Sequence, residues 1–307
     1  MLDQSFSSKS FQEIFDKENR KGINIEKRYK DIFADSIAKV GELKDIRKQI
    51  QQENDFDAKK LLYAEKNKLK KERDTLVSNV LDTLADDFNM HTINLKLGGN
   101  YGEQSYVFEK NIQNFFISKK IQDNINKTYS VKQSSRYAIL SELLNLLEDN
   151  FPKYVIRTDI KSFYESIPQK KLLNKIDSDY LLSIKTKKFI HQIFTSYNNL
   201  TGQTNPKTAK GVPRGIGISA YLSELFMRSI DNKIKELDDL VYYARYVDDI
   251  IAIFVPRSKK IDLAQSADYK RKLKNLITSE ELVLNVKKTE EYNLLEGIFD
   301  LWFNDNN

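Results

Sequence analysis

The chain has 307 residues, 40% of them apolar and 31% charged, with a net charge of +6 and a pI near 9.0. That length supports a large core without covalent staples, and the mild basic excess fits a polyanionic partner without requiring one. The absence of cysteine excludes disulfides, thiolate metal sites and cysteine nucleophiles, and two histidines argue against a histidine-rich metal centre.

Residues 1–91 read as a helical region. Ile37, Val40, Leu43, Ile46 and Ile50 recur at helical spacing, and Leu62, Leu69, Leu76, Val80, Leu84 and Phe88 form a second run. The charges between them, densest from Lys66 to Arg73, read as a solvated face, with a nucleic-acid-facing helix as the sharper alternative. Thr92 to Leu97 alternates as a short strand and enters a glycine turn at Gly98, Gly99 and Gly102; no Gly-Lys-Ser/Thr follows to make a phosphate loop. Helical patterning returns around 109–126 and 136–149. Tyr154 to Ile160 is a strand rich in β-branched residues. Residues 181–196 read as a helix, 201–210 as a polar loop, and 219–237 as a helix capped by Ser219. Leu240–Tyr246 and Ile250–Val255 are two β-rich runs joined by Val247-Asp248-Asp249, the pattern of a tight hairpin with acids at its tip. A helix over 262–280 and a short strand over Leu282–Val286 complete the order.

The hairpin acids are unusual for their setting. Tyr242, Tyr243, Ile250, Ile251 and Ile253 flank them, and a plain hairpin would prefer Asn-Gly or Asp-Gly at the tip. An ordinary turn aspartate is the simpler reading. Asp159, however, ends a strand of its own. If the two strands are neighbours, Asp159 and Asp248 converge, and converging carboxylates raise each other's pKa unless a cation lies between them. Oxygen ligands in a chain without cysteine imply a hard ion, Mg²⁺ or Mn²⁺. Two such ions held by shared aspartates suit in-line phosphoryl transfer.

Four segments carry a family resemblance. Tyr246-Val247-Asp248-Asp249 resembles the Y-x-D-D motif of reverse transcriptases. Thr158 to Ile167 (TDIKSFYESI) resembles the first catalytic motif of the polymerase palm. Gly211 to Ser219 (GVPRGIGIS) resembles the G-x-P-x-G-x-x-x-S motif, and Leu282 to Thr289 (LVLNVKKT) the later L-x-L-N-x-x-K-T segment. They occur in the family's order. The resemblance implies an α+β right-hand polymerase fold. Its palm is formed by 151–180 and 211–307, its fingers partly by 92–150, and the connection between them by 181–210, after the helical region 1–91. It implies Asp159 and Asp248 as ligands of two Mg²⁺ or Mn²⁺ ions. Asp249 would orient or bind metal, and the backbone carbonyl of Ile160 would face the second ion. Tyr164 matches the family's steric gate, an aromatic ring that leaves no room for a 2′-hydroxyl. Arg214 and Gly215 fall at the incoming nucleotide, Lys288 matches a lysine that neutralises or protonates the leaving pyrophosphate, and Arg136 matches a phosphate-binding cation of the fingers. Arg245 and Lys161 are expected beside template or primer.

The implied activity is RNA-directed DNA polymerisation from deoxynucleotides and a primer 3′-hydroxyl. The Pro213-Arg214-Gly215 form, where Gln is common at the second position, and Ala220 in place of Pro are similar to bacterial abortive-infection and defence-associated reverse transcriptases, which implies an antiviral role. Two alternatives stand beside it: template-independent or protein-primed DNA synthesis on the same fold, and a silent palm that serves as an RNA-binding scaffold. The implied partners are an RNA template, the DNA product and dNTPs, with a non-coding RNA, a second subunit or a second copy of the chain as further candidates. No run approaches the roughly 20 apolar residues of a membrane span and no signal-peptide core is present, so no membrane partner and a cytoplasmic location are expected. Eighteen residues follow Thr289, and no thumb is expected within them.

Overall fold

A computed structural model describes residues 2–100, 102–148, 151–256 and 263–294. The chain forms two compact units, one of residues 1–93 with 108–123 and one of residues 94–107 with 124–307.

The first unit is helical: α1 (Ser8–Arg20), α2 (Ile25–Arg28), α3 (Ala34–Gln52), α4 (Phe56–Asp87) and the start of α5 (Ile112–Tyr129). Asp55 caps α4 by accepting from the Ala58 N–H at 2.8 Å. Leu43, Ile46 and Ile50 of α3 pack on Leu69 of α4, with Leu62 at the margin. Beyond that contact the buried face of α4 is Val77, Leu81 and Leu84, whereas Leu76 and Val80 are only half-buried. The expected stripe is therefore one residue out of phase at Leu76 and Val80 and back in register at Leu84 and Phe88. The reason is its length: α4 packs on α3 and also on α1, and no single stripe serves both over 32 residues.

The second unit contains a hairpin of β1 (Leu95–Asn100) and β2 (Gln104–Phe108), and an antiparallel sheet in the order β4 (Leu240–Tyr246), β5 (Asp249–Phe254), β3 (Lys153–Asp159), β6 (Glu290–Leu294). Gly98 and Gly99 lie within β1, not in a turn; a Cβ on Gly98 would stand 2.6 Å from Ser105 Oγ of the facing strand. Helix α6 (Arg136–Glu148) lays Leu143 and Leu147 on Val155, Ile251 and Ile253. Tyr269 of α11 (Leu263–Ser279) stacks on Phe254 at 4.3 Å, a residue of opposite parity to Ile253 and so on the other face. Covered on both faces, β5 reads as a continuous apolar run. Helices α7 (Phe163–Ser166), α8 (Gln169–Ser178), α9 (Ile184–Thr201) and α10 (Gly217–Lys235) complete the unit.

Two expectations are corrected here. The strand over 282–286 reduces to one bridge, Leu284 to Ile160, followed by a 3-10 turn at Val286–Lys288. The sheet instead gains β6, whose Glu290 and Glu291 hid it from a hydrophobic pattern. It is an edge strand, and its acids are answered by Arg157 (3.2 Å) and by Lys270 and the Tyr154 hydroxyl. Nor does Ser219 cap α10: the helix starts at Gly217, and buried Ser219 donates its hydroxyl to Pro213 O at 2.7 Å. Among the described residues no helix is long and apolar enough to cross a membrane.

Candidate active site

All the candidate residues belong to the second unit. The antiparallel register sets Asp159, the last residue of β3, opposite Asp249, the first of β5. Tyr246 pairs with Asp249 across the β4–β5 hairpin, which leaves Val247 and Asp248 as its two-residue loop. The Ile160 N–H donates to Asp248 O at 3.1 Å and ties the tip to the end of β3. On the other side, the Asn285 N–H donates to Asp159 O and the Lys161 N–H to Val283 O, both at 2.8 Å. Three sequence-distant segments thus meet around one carboxylate.

Asp159 is buried, at 5% exposure. Its Oδ2 accepts from Lys288 Nζ at 2.9 Å, and its Oδ1 has no hydrogen-bond partner. Asp248 is half-buried and Asp249 exposed. Burial pushes the Asp248 carboxyl above its ordinary value, and the charges of Asp249 and Asp159 add to this against the pull of Lys288. The Lys288 ammonium is held above its ordinary range by its bond to Asp159. Among the described residues no three acidic, histidine or cysteine side chains are already closed into a metal cage. The donor set nevertheless fits a hard cation: a buried carboxylate oxygen without a partner and a destabilised second carboxylate share one strand end.

Tyr164 lies on α7, after Ser162 in the left-handed region at φ +47°. The Arg214 guanidinium stands over its ring at 5.2 Å from the centroid. Glu165 holds that guanidinium in a bidentate pair, Nε to Oε1 at 2.8 Å and Nη2 to Oε2 at 3.0 Å. The neighbouring Phe163 is buried at 2% exposure. Gly215 adopts φ +98°, and a Cβ there would lie 2.9 Å from Tyr106 O; the Tyr106 N–H donates to Arg214 O at 2.7 Å. Strand β2 therefore abuts the Arg214-Gly215 backbone.

Arg136 opens α6 on an exposed surface and shares no hydrogen bond or ion pair with this group among the described residues. Arg245, expected beside nucleic acid, is 6% exposed, and its guanidinium bonds Glu224, Asp231 and Val247 O. Sequence reasoning overlooked Glu165, Glu224 and Asp231. The available signals were Glu165 directly after Tyr164, and two acids seven apart, hence on one face of α10.

A family model described as reverse transcriptase (RNA-dependent DNA polymerase) matches residues 106–296, and the chain belongs to that family of nucleotidyltransferases. No curated protein matches the chain. Among solved structures it is similar to apo telomerase from Candida tropicalis truncated from its C-terminal domain, at 13% identity and a TM-score of 0.39, covering 78% of this chain and 66% of that one. It is also similar to telomerase from Candida albicans in complex with a fragment of telomeric RNA, at 11% identity and a TM-score of 0.45, covering 67% and 43%. The chain thus spans less than two thirds of the length of either.

Proposed function

We propose that the chain extends a primer 3′-hydroxyl with deoxynucleotides on an RNA template by two-metal phosphoryl transfer. The observation that carries this reading is the register of β3 against β5, which sets Asp159 across from Asp249 and beside the tip that bears Asp248, with one buried Asp159 oxygen left unpartnered. Asp159 and Asp248 would hold two Mg²⁺ or Mn²⁺ ions, assisted by Asp249 and the Ile160 carbonyl. When bound, these ions supply Lewis-acid activation of the attacking hydroxyl and charge neutralisation at the leaving group. Lys288, 67% exposed and beside Asp159, supplies an ammonium donor for the departing pyrophosphate. The Tyr164 ring lies under the incoming sugar and excludes a 2′-hydroxyl. Gly215, without a Cβ, lets the backbone approach the nascent base pair. Arg214 braces the Tyr164 ring from its pairing with Glu165, and Arg136 reaches phosphate from the fingers.

The Pro213-Arg214-Gly215 segment and Ala220 support a place among bacterial defence-associated reverse transcriptases, acting in the cytoplasm with an RNA partner. Survival of phage-infected cells carrying the wild-type or the Asp248→Asn chain tests that role. The polymerase reading is tested by extending a labelled DNA primer on RNA, with template-free and EDTA arms. Extension that needs RNA, dNTPs and Mg²⁺ supports the reading. Equal extension without template would replace it with untemplated synthesis, and none under any arm would leave a binding scaffold.

A further inference from the structure

Arg245 is the most heavily bonded side chain near the carboxylates, and the reading above assigns it nothing. Its guanidinium donates to Glu224 (3.1 and 2.7 Å) and to Asp231 (3.0 and 2.9 Å), both on α10. The Tyr243 hydroxyl donates to the same Asp231 at 2.7 Å. With its side chain 4% exposed, Arg245 makes no contact with solvent-borne nucleic acid. Nη1, which also donates to Glu224, donates to Val247 O at 2.8 Å.

Val247 is where the hairpin is strained. It has φ +59° in a two-residue loop, a position that glycine, asparagine and aspartate occupy readily and a β-branched residue does not. Such a conformation persists only where surrounding contacts over-determine it. Two contacts do so here: Arg245 fixes the Val247 carbonyl from one side, and Ile160 fixes the Asp248 carbonyl from the other. Asp248 lies between them.

We propose that Arg245, anchored on α10 by Glu224 and Asp231, is the positioning residue that holds the Val247–Asp248 loop in its strained form and so aims Asp248 at Asp159. The inference rests on the polymerase reading for its kinetic consequence only. A displaced reacting group costs on the order of 100-fold in rate per ångström, so a relaxed tip lowers kcat and leaves the KM for dNTP nearly unchanged.

The test uses the full chain. Arg245→Met alone would leave two half-buried acids unpaired and threaten the fold, so it is compared with a variant carrying Glu224→Gln, Asp231→Asn and Arg245→Met together, which removes the charges as a set. In both, kcat is expected to drop by about 10- to 100-fold, and amide hydrogen exchange at Ile160, whose N–H is the other anchor of the tip, is expected to quicken. Adding Val247→Gly to the triple variant allows the loop its conformation without the clamp; it is expected to restore most of the rate and to slow the Ile160 exchange again. A triple variant with wild-type kcat and wild-type exchange overturns the proposal, as does a Val247→Gly addition that rescues neither. If the wild-type chain incorporates no nucleotide, the polymerase reading fails, and the exchange measurements still decide the clamp.

Discussion

The Arg214 guanidinium lies 5.2 Å from the centroid of the Tyr164 ring, and the Glu165 carboxylate holds it there in a bidentate pair. That pair commits two of the five guanidinium N–H donors and keeps the cation over the ring. On the proposed reading, its role is to brace the Tyr164 ring beneath the incoming sugar.

On the proposed reading, sugar choice depends on that ring. Shortening Tyr164 to Ala is expected to raise ribonucleotide use relative to deoxynucleotide use by about 30- to 1,000-fold, the value of one steric exclusion. Tyr164→Phe should leave discrimination nearly unchanged, because the proposed gate excludes the 2′-OH by ring bulk and not by its hydroxyl. Steady-state incorporation of paired dNTP and rNTP substrates measures both. Wild-type discrimination in Tyr164→Ala would remove the gate assignment.

Arg214→Gln and Glu165→Gln each break the bidentate pair from one side. Both are expected to loosen sugar discrimination, by less than Tyr164→Ala, and their effects should not add, since the two residues act as one unit. Additive losses in the double variant would mean that Arg214 and Glu165 serve separate purposes.

The carboxylates themselves give the sharpest activity test. Asp159→Asn or Asp248→Asn is expected to cut incorporation by roughly 1,000-fold or more while the circular dichroism spectrum is retained. Lys288→Met should lower the rate far less, since it removes a donor and not a ligand. Full activity in Asp248→Asn would end the assignment of this strand end as the reaction centre.

These residues were legible in the sequence to unequal degrees, for physical reasons. Asp159 and the hairpin acids stood out because β-branched runs led straight into charge, and strand order then joined them. The partners that hold them did not. Glu165, Glu224 and Asp231 look like ordinary surface acids until the fold closes Arg214 and Arg245 onto them. Strand β6 was hidden because an edge strand with salt-bridged glutamates has no apolar alternation to read. Arg245 was misread because a basic residue in a strand gives no sign of whether it faces solvent or two half-buried carboxylates of a packed helix.

If the basic excess acts on phosphates, affinity for a primer–template should fall at least about tenfold between about 50 and 200 mM salt, through counterion release. Fluorescence anisotropy of a labelled duplex across that range measures the slope. A flat profile would return the lysine-rich stretch of α4 to the role of a solvated helix face.

Asp248 links function to stability with a definite sign. Burial, together with the charges of Asp249 and Asp159, raises its folded pKa above the ordinary aspartate value of 3.8. A group shifted upward contributes stability that is fully present below the unfolded value and is lost as pH rises through the folded one. At neutral pH without divalent cations, the ionised Asp248 therefore works against the fold. Asp248→Asn removes that charge and is expected to raise the melting temperature in EDTA at pH 7 by about 1–3 °C, opposite in direction to its expected effect on incorporation. Near pH 3 both side chains are uncharged and the advantage should vanish. Added Mg²⁺ should stabilise the wild-type chain more than the variant, because a bound cation neutralises the charge that the variant lacks. Differential scanning fluorimetry at both pH values, with and without Mg²⁺, reads all of these outcomes. A variant that melts lower than wild type in EDTA at pH 7 would mean that the Asp248 carboxylate is already compensated by a partner within the fold, and that its neighbours do not press it towards a cation.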